Sequence, residues 1–174
     1  ERAFAMGEDD ADKHLRSALP NLAPDARLLP PVRVDYGDNI TVGEGTFVNY
    51  GLVALDVARI IIGAHCQIGP NVQLLTPVHP LEPTPRACSL EAADPITIGD
   101  NVWLGGGVIV CPGVTIGENS IIGAGAVVTR SIPPNSVAVG NPARVIKALD
   151  PCVPRAIEAA SVGVISRGET GERA

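Results

Sequence analysis

From Ile98 the chain reads IGDNVW LGGGVI VCPGVT IGENSI IGAGAV VTRSIP, six consecutive hexads in one phase. The first position is Ile98, Leu104, Val110, Ile116, Ile122 and Val128, aliphatic every time. The second is Gly99, Gly105, Cys111, Gly117, Gly123 and Thr129, always small, and the fifth is Val102, Val108, Val114, Ser120, Ala126 and Ile132. The same grammar stands upstream in VGEGTF VNYGLV from Val42 and IGAHCQ IGPNVQ from Ile62, and returns at VGNPAR from Val139. A period of six matches neither the 3.6-residue helix nor the two-residue strand alternation. It matches a short strand followed by a tight turn, with the first residue pointing inward and a small residue letting the backbone turn. Three hexads close a triangular coil of about 18 residues, and coils stack at the strand spacing of about 4.8 Å.

The expected fold is therefore all-β: a parallel β-helix of hexapeptide repeats, with short helical or irregular segments at its ends. Coils of this type resemble the left-handed class, an exception to the right-handed crossover rule. A β-sandwich spaces its turns about 8–12 residues apart, which six in-phase hexads do not allow. Hydrophobic residues make up 45% of the 174 but aromatics only 3%, so the column must be filled by Val, Ile, Leu and Ala. Residues 1–30 read as a cap, with Asp9 to Leu19 as a short helix covering the open end. Residues 31–146 read as the column, interrupted by a loop at 75–95. Residues 147–174 read as an extension, helical in part and broken by proline turns, ending in a polar tail.

A net charge of -6 excludes the basic face that a nucleic-acid partner requires. No apolar run approaches the ~18 residues of a membrane span, and the first 30 residues carry no signal-peptide core, so the expectation is a cytoplasmic protein. Cys66, Cys88, Cys111 and Cys152 form no C-x-x-C pair and read as small thiols, mostly buried, rather than a zinc site or a disulfide framework.

The repeat breaks at LLTPVHPLEP, Leu74 to Pro83, where a proline-rich loop presents His79. Long loops in compact repeats are functional or disordered, and Pro77, Pro80, Pro83, Pro85 and Pro95 restrict this one. His14 in the cap and His65 at a hexad corner read as solvated. His79 can be inert too, but Glu82, Arg86 and Glu91 lie close enough in sequence to orient its ring, and a neutral imidazole is the natural base for a hydroxyl near neutral pH.

On the residues DYGDNITVGEGTFVNYG, IIIGAHCQIGPNVQLLTPVHPLEP, PITIGDNVWLGG and VGNPARVI, the stretch from about Leu28 to Leu149 is similar to the maltose/galactoside O-acetyltransferase family. These are hexapeptide-repeat, acetyl-CoA-dependent sugar acetyltransferases, a group that includes nodulation acetyltransferases. The resemblance implies catalysis by His79 and Asn49, an acceptor pocket at Asp35, Tyr36, Phe47 and Glu91, and acetyl-CoA held by Trp103, Gly106, Ala124, Thr129, Arg130, Arg144 and Lys147. It implies a homotrimer with active sites between subunits and no required metal. Physical chemistry agrees with these roles: a glycine N–H can meet an oxyanion, and Arg and Lys match CoA phosphates. From the residues alone, Trp103 also reads as a strand-end cover, Arg144 and Lys147 as solvated charges, Asn49 as a rung of a polar corner and Asp35 as a turn residue. The chain departs from the family pattern at Cys111, where Asn is usual, and at EAADP, which keeps Glu91 and Pro95 of an E-x-G-x-P motif. An antibiotic or serine acetyltransferase of the same fold, and a non-catalytic β-helix scaffold, are the alternatives. A metalloenzyme of the γ-carbonic-anhydrase kind would need three converging histidines, which the repeats do not supply.

Overall fold

Two side chains per hexad point into the column, and their burial follows from where the strand ends and the corner turns. A computed structural model describes residues 8–150. The aliphatic first position closes each short strand, and the fifth position faces inward from the following corner. Ile98, Leu104, Val110, Ile116, Ile122 and Val128 are fully buried, as are Val108, Ser120 and Ala126, with Val102, Val114 and Ile132 almost so. The chain winds as a left-handed parallel β-helix of about six coils.

Each coil presents three faces. The first carries Asn21–Leu22, Ile40–Val42, Ile60–Ile62, Ile96–Ile98 and Thr115–Ile116. The second carries Arg27–Leu28, Phe47–Val48, Gln67–Ile68, Trp103–Leu104, Ile121–Ile122 and Ser136–Val139. The third carries Arg33–Val34, Val53–Leu55, Gln73–Leu75, Ile109–Val110 and Val127–Val128. Pairing up each of these faces is parallel, and Arg144–Ala148 turns back antiparallel to extend the second face. The column begins at Asn21, ahead of the boundary expected at residue 31, because Asn21 and Leu22 already pair with Thr41 and Val42. Below it lies the expected helix, Glu8–Ala18. Leu15 packs against the core, Leu19 is buried, and the Arg16 guanidinium donates to the carbonyls of Ala23 and Ala26 at 3.2 and 3.0 Å. At the other end, residues expected to open a helical stretch form strand instead, and the remainder of that extension, from residue 151, lies outside the described residues.

The expected coil of 18 residues holds only in part. Ile98 pairs with Ile116 and Leu104 with Ile122, 18 apart. Leu22 pairs with Val42 and Val42 with Ile62, 20 apart, while Ile116 bridges to Ile132, only 16 apart. Ile62 pairs with Ile98 across the loop. Every departure is made at one corner, between the third face and the first, because the other two corners keep the hexad spacing throughout. At that third corner stand residues 35–39, then 56–59, then the loop 76–95, one above another. The corner between the first and second faces and the one between the second and third are the first and second corners below.

Candidate active site

Outward side chains on the second face form a column of their own: Phe47 pairs with Gln67, Gln67 with Trp103, and Trp103 with Ile121. Beside them, towards the second corner, the backbone is stripped to Gly69, Gly105, Gly106, Gly123 and Ala124. The two rows enclose a groove of about 460 Å³, lined also by Asn49, Pro70 and Ile122. It climbs from the second coil to the fifth, roughly 14 Å at the usual strand spacing. Its walls are mainly apolar, and Trp103 is 53% exposed along one side.

Polar groups in the groove are few and specific. The Asn49 Oδ1 accepts the backbone N–H of Tyr50 at 2.8 Å, which leaves its amide nitrogen as the donor. At Gly106 the carbonyl accepts from Gly125, whereas the N–H has no partner among the described residues. The equivalent N–H at the first corner, Ala64, is taken by the Asp100 carboxylate at 2.8 Å. Ala124, above Gly106, has no side chain able to do the same. A donor thus remains open on the groove wall.

His79 stands at the third corner, on the other side of the third face from this groove. Its loop is a short hairpin, Pro77–Val78 against Ala92–Ala93, with a one-turn helix Pro83–Ala87 at its tip. The His79 Nδ1 faces the Leu90 carbonyl at 3.4 Å, and only a protonated Nδ1 can donate there. Nε2, on the other side of the ring, looks towards the Glu91 carboxylate at 3.8 Å. Arg86 orients the loop rather than the ring, since its Nη1 donates to the carbonyls of Pro80 and Leu81 at 2.9 and 2.8 Å. Val78, His79, Pro80, Leu81, Leu90, Glu91 and Ala92 surround a hollow of about 370 Å³.

The predicted site residues therefore fall into separate places. Phe47, Asn49, Trp103, Gly106 and Ala124 share the groove, and His79 and Glu91 share the loop hollow. Asp35 and Tyr36 lie at the third corner of the first coil, both exposed. Arg144 and Lys147 lie on the last strand of the second face, opposite Val139 and Val137, beyond the upper end of the groove. Thr129 and Arg130 follow the last strand of the third face, whose Val127 carbonyl accepts the N–H of Ala143, next to Arg144, at 2.8 Å. Among the described residues no group of metal-ligating side chains comes together. Cys66 is buried, Cys111 half-buried and Cys88 exposed, and burial pushes the Cys66 and Cys111 thiols above their ordinary values, away from the nucleophilic thiolate.

Sequence reasoning missed Gln67, Pro70 and Ile121, whose place follows from the register of Phe47 and Trp103. It also missed Asp56, a carboxylate with no exposed surface. Asp56 Oδ1 accepts the N–H groups of Asp35 and Tyr36 at 3.0 and 2.9 Å, and Oδ2 those of Gly37 and Asn39 at 2.8 and 3.3 Å. It fastens the corner that displays Asp35 and Tyr36.

A hexad column with a groove along one face and a histidine loop at another corner defines a class, the hexapeptide-repeat transferases. Residues 95–130 match the family described as bacterial transferase hexapeptide (six repeats). The chain is 60% identical over 120 residues to a Dictyostelium discoideum protein carrying the acetyltransferase name, spanning 69% of this chain and 63% of that protein. It is 48% identical to the solved maltose O-acetyltransferase from Clostridium difficile 630, with a TM-score of 0.80, covering 82% of this chain and 76% of that one. With a galactoside acetyltransferase solved in complex with coenzyme A the identity is 40% and the TM-score 0.80, covering 83% and 72%. The chain belongs to the maltose/galactoside O-acetyltransferase family, acetyl-CoA-dependent enzymes of the hexapeptide-repeat class.

Proposed function

We propose that this chain transfers the acetyl group of acetyl-CoA to a hydroxyl of a sugar, of the maltose or galactoside kind, with His79 as general base. The observation that carries the reading is the placement of His79: an exposed imidazole on the loop, with Nδ1 3.4 Å from the Leu90 carbonyl and Nε2 3.8 Å from the Glu91 carboxylate. A thioester is already an activated acyl donor, whereas a sugar hydroxyl is a poor nucleophile near neutral pH. The step that needs help is removal of the hydroxyl proton as the C–O bond forms, typically worth ~10²–10⁴-fold. Nε2 takes that proton. The open Gly106 N–H receives the oxyanion of the tetrahedral intermediate, and the Asn49 amide nitrogen donates to that intermediate or places the hydroxyl. Collapse breaks the C–S bond, and the CoA thiolate recovers the proton from the His79 imidazolium.

In this reading acetyl-CoA lies along the second-face groove past Trp103 and Ala124, with its phosphates towards Arg144 and Lys147. Arg130 and Thr129, around the column, meet the donor bound to a neighbouring chain. His79 and the groove belong to different corners of one column, so the reading puts His79 of one subunit against the groove of the next. A head-to-tail contact of that kind closes into a ring, here a homotrimer, by the ordinary route of heterologous interfaces. Asp35, Tyr36, Phe47 and Glu91 frame the acceptor. The protein works in the cytoplasm alongside its donor.

The test is a thiol-release screen with acetyl-CoA across maltose, galactosides and other sugars, with aminoglycosides, streptogramins and serine as rival acceptors. Sugars are expected to release CoA fastest. With the best acceptor, His79→Ala should lower kcat at least ~10²-fold while CoA affinity by calorimetry stays unchanged, because the base acts in the transition state. Wild-type turnover in that variant would falsify the base assignment. Release with serine or an antibiotic alone would move the acceptor to that class, and no CoA binding at low salt would leave a scaffold.

A further inference from the structure

The imidazole follows directly on the first strand of the loop's hairpin, and one buried side chain stands at the root of that hairpin. Thr76 is completely buried where the chain leaves the column. Its hydroxyl donates to the Leu55 carbonyl at 2.7 Å and accepts the N–H of Ala58 at 3.0 Å, both on the coil below. Its carbonyl accepts the N–H of Asp94 at 3.0 Å, where the chain returns. Exit and re-entry of the loop are therefore both tied at Thr76. From there the hairpin pairs Pro77 with Ala93 and Val78 with Ala92, and the next residue is His79. Leu90, whose carbonyl holds Nδ1, lies just beyond the hairpin's other strand and is itself anchored by its N–H to Pro85. A series of bonds runs from the core towards the ring, and among the described residues the Thr76 hydroxyl is its one side-chain link to the column.

We propose that Thr76 is a positioning residue for His79: its hydroxyl, bonded to Leu55 and Ala58, fixes the root of the loop and through it the place and tautomer of the catalytic ring. The inference rests on the acetyl-transfer reading for its kinetic consequence, but not for its structural one. Valine has the shape of threonine and neither hydroxyl bond, so Thr76→Val removes those two without opening a cavity and leaves only the backbone bonds, from the Thr76 N–H to Leu55 at 3.3 Å and from Asp94 to the Thr76 carbonyl. Serine keeps the hydroxyl. Displacement of a base by about 1 Å can cost ~10²-fold in rate, while the groove on the second face does not touch this root.

The test compares Thr76→Val, Thr76→Ser and Ser120→Ala in the full chain. Ser120 is an equally buried hydroxyl at the first corner, donating to Pro133 at 3.0 Å and accepting from Ser136 at 3.3 Å. Two readouts are taken: kcat and acetyl-CoA affinity with the best acceptor, and the tautomer of His79 by nitrogen NMR of the labelled ring. Thr76→Val is expected to lower kcat at least ~10-fold with CoA affinity nearly unchanged, and to shift the His79 tautomer ratio away from that of the wild type. Thr76→Ser and Ser120→Ala should keep both. A Thr76→Val protein with the wild-type His79 spectrum overturns the proposal whatever the acceptor, and so does an equal loss of kcat in Ser120→Ala. Failure of the wild type to acetylate any acceptor would strike the functional reading alone, since the ring spectrum is read without turnover.

Discussion

A methyl group added at Gly105 would fall 2.5 Å from the backbone nitrogen of Ala124, a contact only a backbone shift can relieve. One added at Gly106 would meet nothing nearer than Pro70, at 3.4 Å. Gly105 is therefore glycine because coils stack closely at the second corner. Gly106 has no such reason, and it lines the groove with its N–H open. The difference was partly legible. Second positions are small along the whole repeat, but the third positions are Asp100, Gly106, Pro112, Glu118, Ala124 and Arg130, so Gly106 is the one glycine among these six third positions. Gly105→Ala should cost about 1–3 kcal/mol in stability, as overpacking does. Gly106→Ala should leave the thermal transition within a few degrees of the wild type yet weaken acetyl-CoA binding at least ~10-fold by calorimetry, the methyl occupying the donor's path. Equal effects of the two changes on stability would remove the distinction. His79 was legible as the histidine displayed by a break in the repeat. Its partner was not, because the Leu90 carbonyl is backbone and any residue could supply it.

Among the elements, the third corner was only half legible in the sequence. The hexad phase slips by two residues between Val42 and Ile62, which stand 20 apart rather than 18, but a slip alone does not say at which corner the extra residues stand. The register of Leu22 with Val42 and of Val42 with Ile62, with the other two corners keeping six, puts them at the third. Added corner residues bring added backbone N–H groups, and Asp56 takes four of them with one carboxylate. In the sequence it is one aspartate among aliphatics, with nothing to mark it as buried. Asp56→Asn keeps the size but turns one acceptor oxygen into a donor facing N–H groups. Hydrogen bonds to a charged partner are worth about 1.5–3 kcal/mol each, and buried donors left open cost a similar amount. A loss of about 3 kcal/mol is expected, read as a lowered urea midpoint at fixed protein concentration. Asp35→Asn, on the exposed side of the same corner, should change the midpoint little. If the two behaved alike, the corner would not depend on the buried carboxylate.

At the scale of the whole molecule, the proposed mechanism asks one task of each of two corners, and a face separates them. The groove with Asn49, Trp103 and Gly106 opens from the second face to the second corner, and the His79 loop leaves from the third. A triangular column is rigid because every coil is bonded to the next, so it cannot fold the loop back across its own third face. On the proposed reading, a complete site needs the third corner of one chain against the second face of another. That requirement can be examined without a structure of the assembly. His79→Ala and Asn49→Ala chains are each expected to be nearly inactive alone. Mixed in equal amounts and allowed to assemble at random, about a quarter of the ordered interfaces in a ring combine an intact His79 with an intact Asn49. The mixture should recover about a quarter of wild-type turnover, while the parents prepared separately and combined after assembly should not. Sites built within one chain allow no such recovery, because every chain then carries a damaged site. Activity no higher than that of the parents, in a mixture that light scattering shows to be assembled, would return both residues to a single chain.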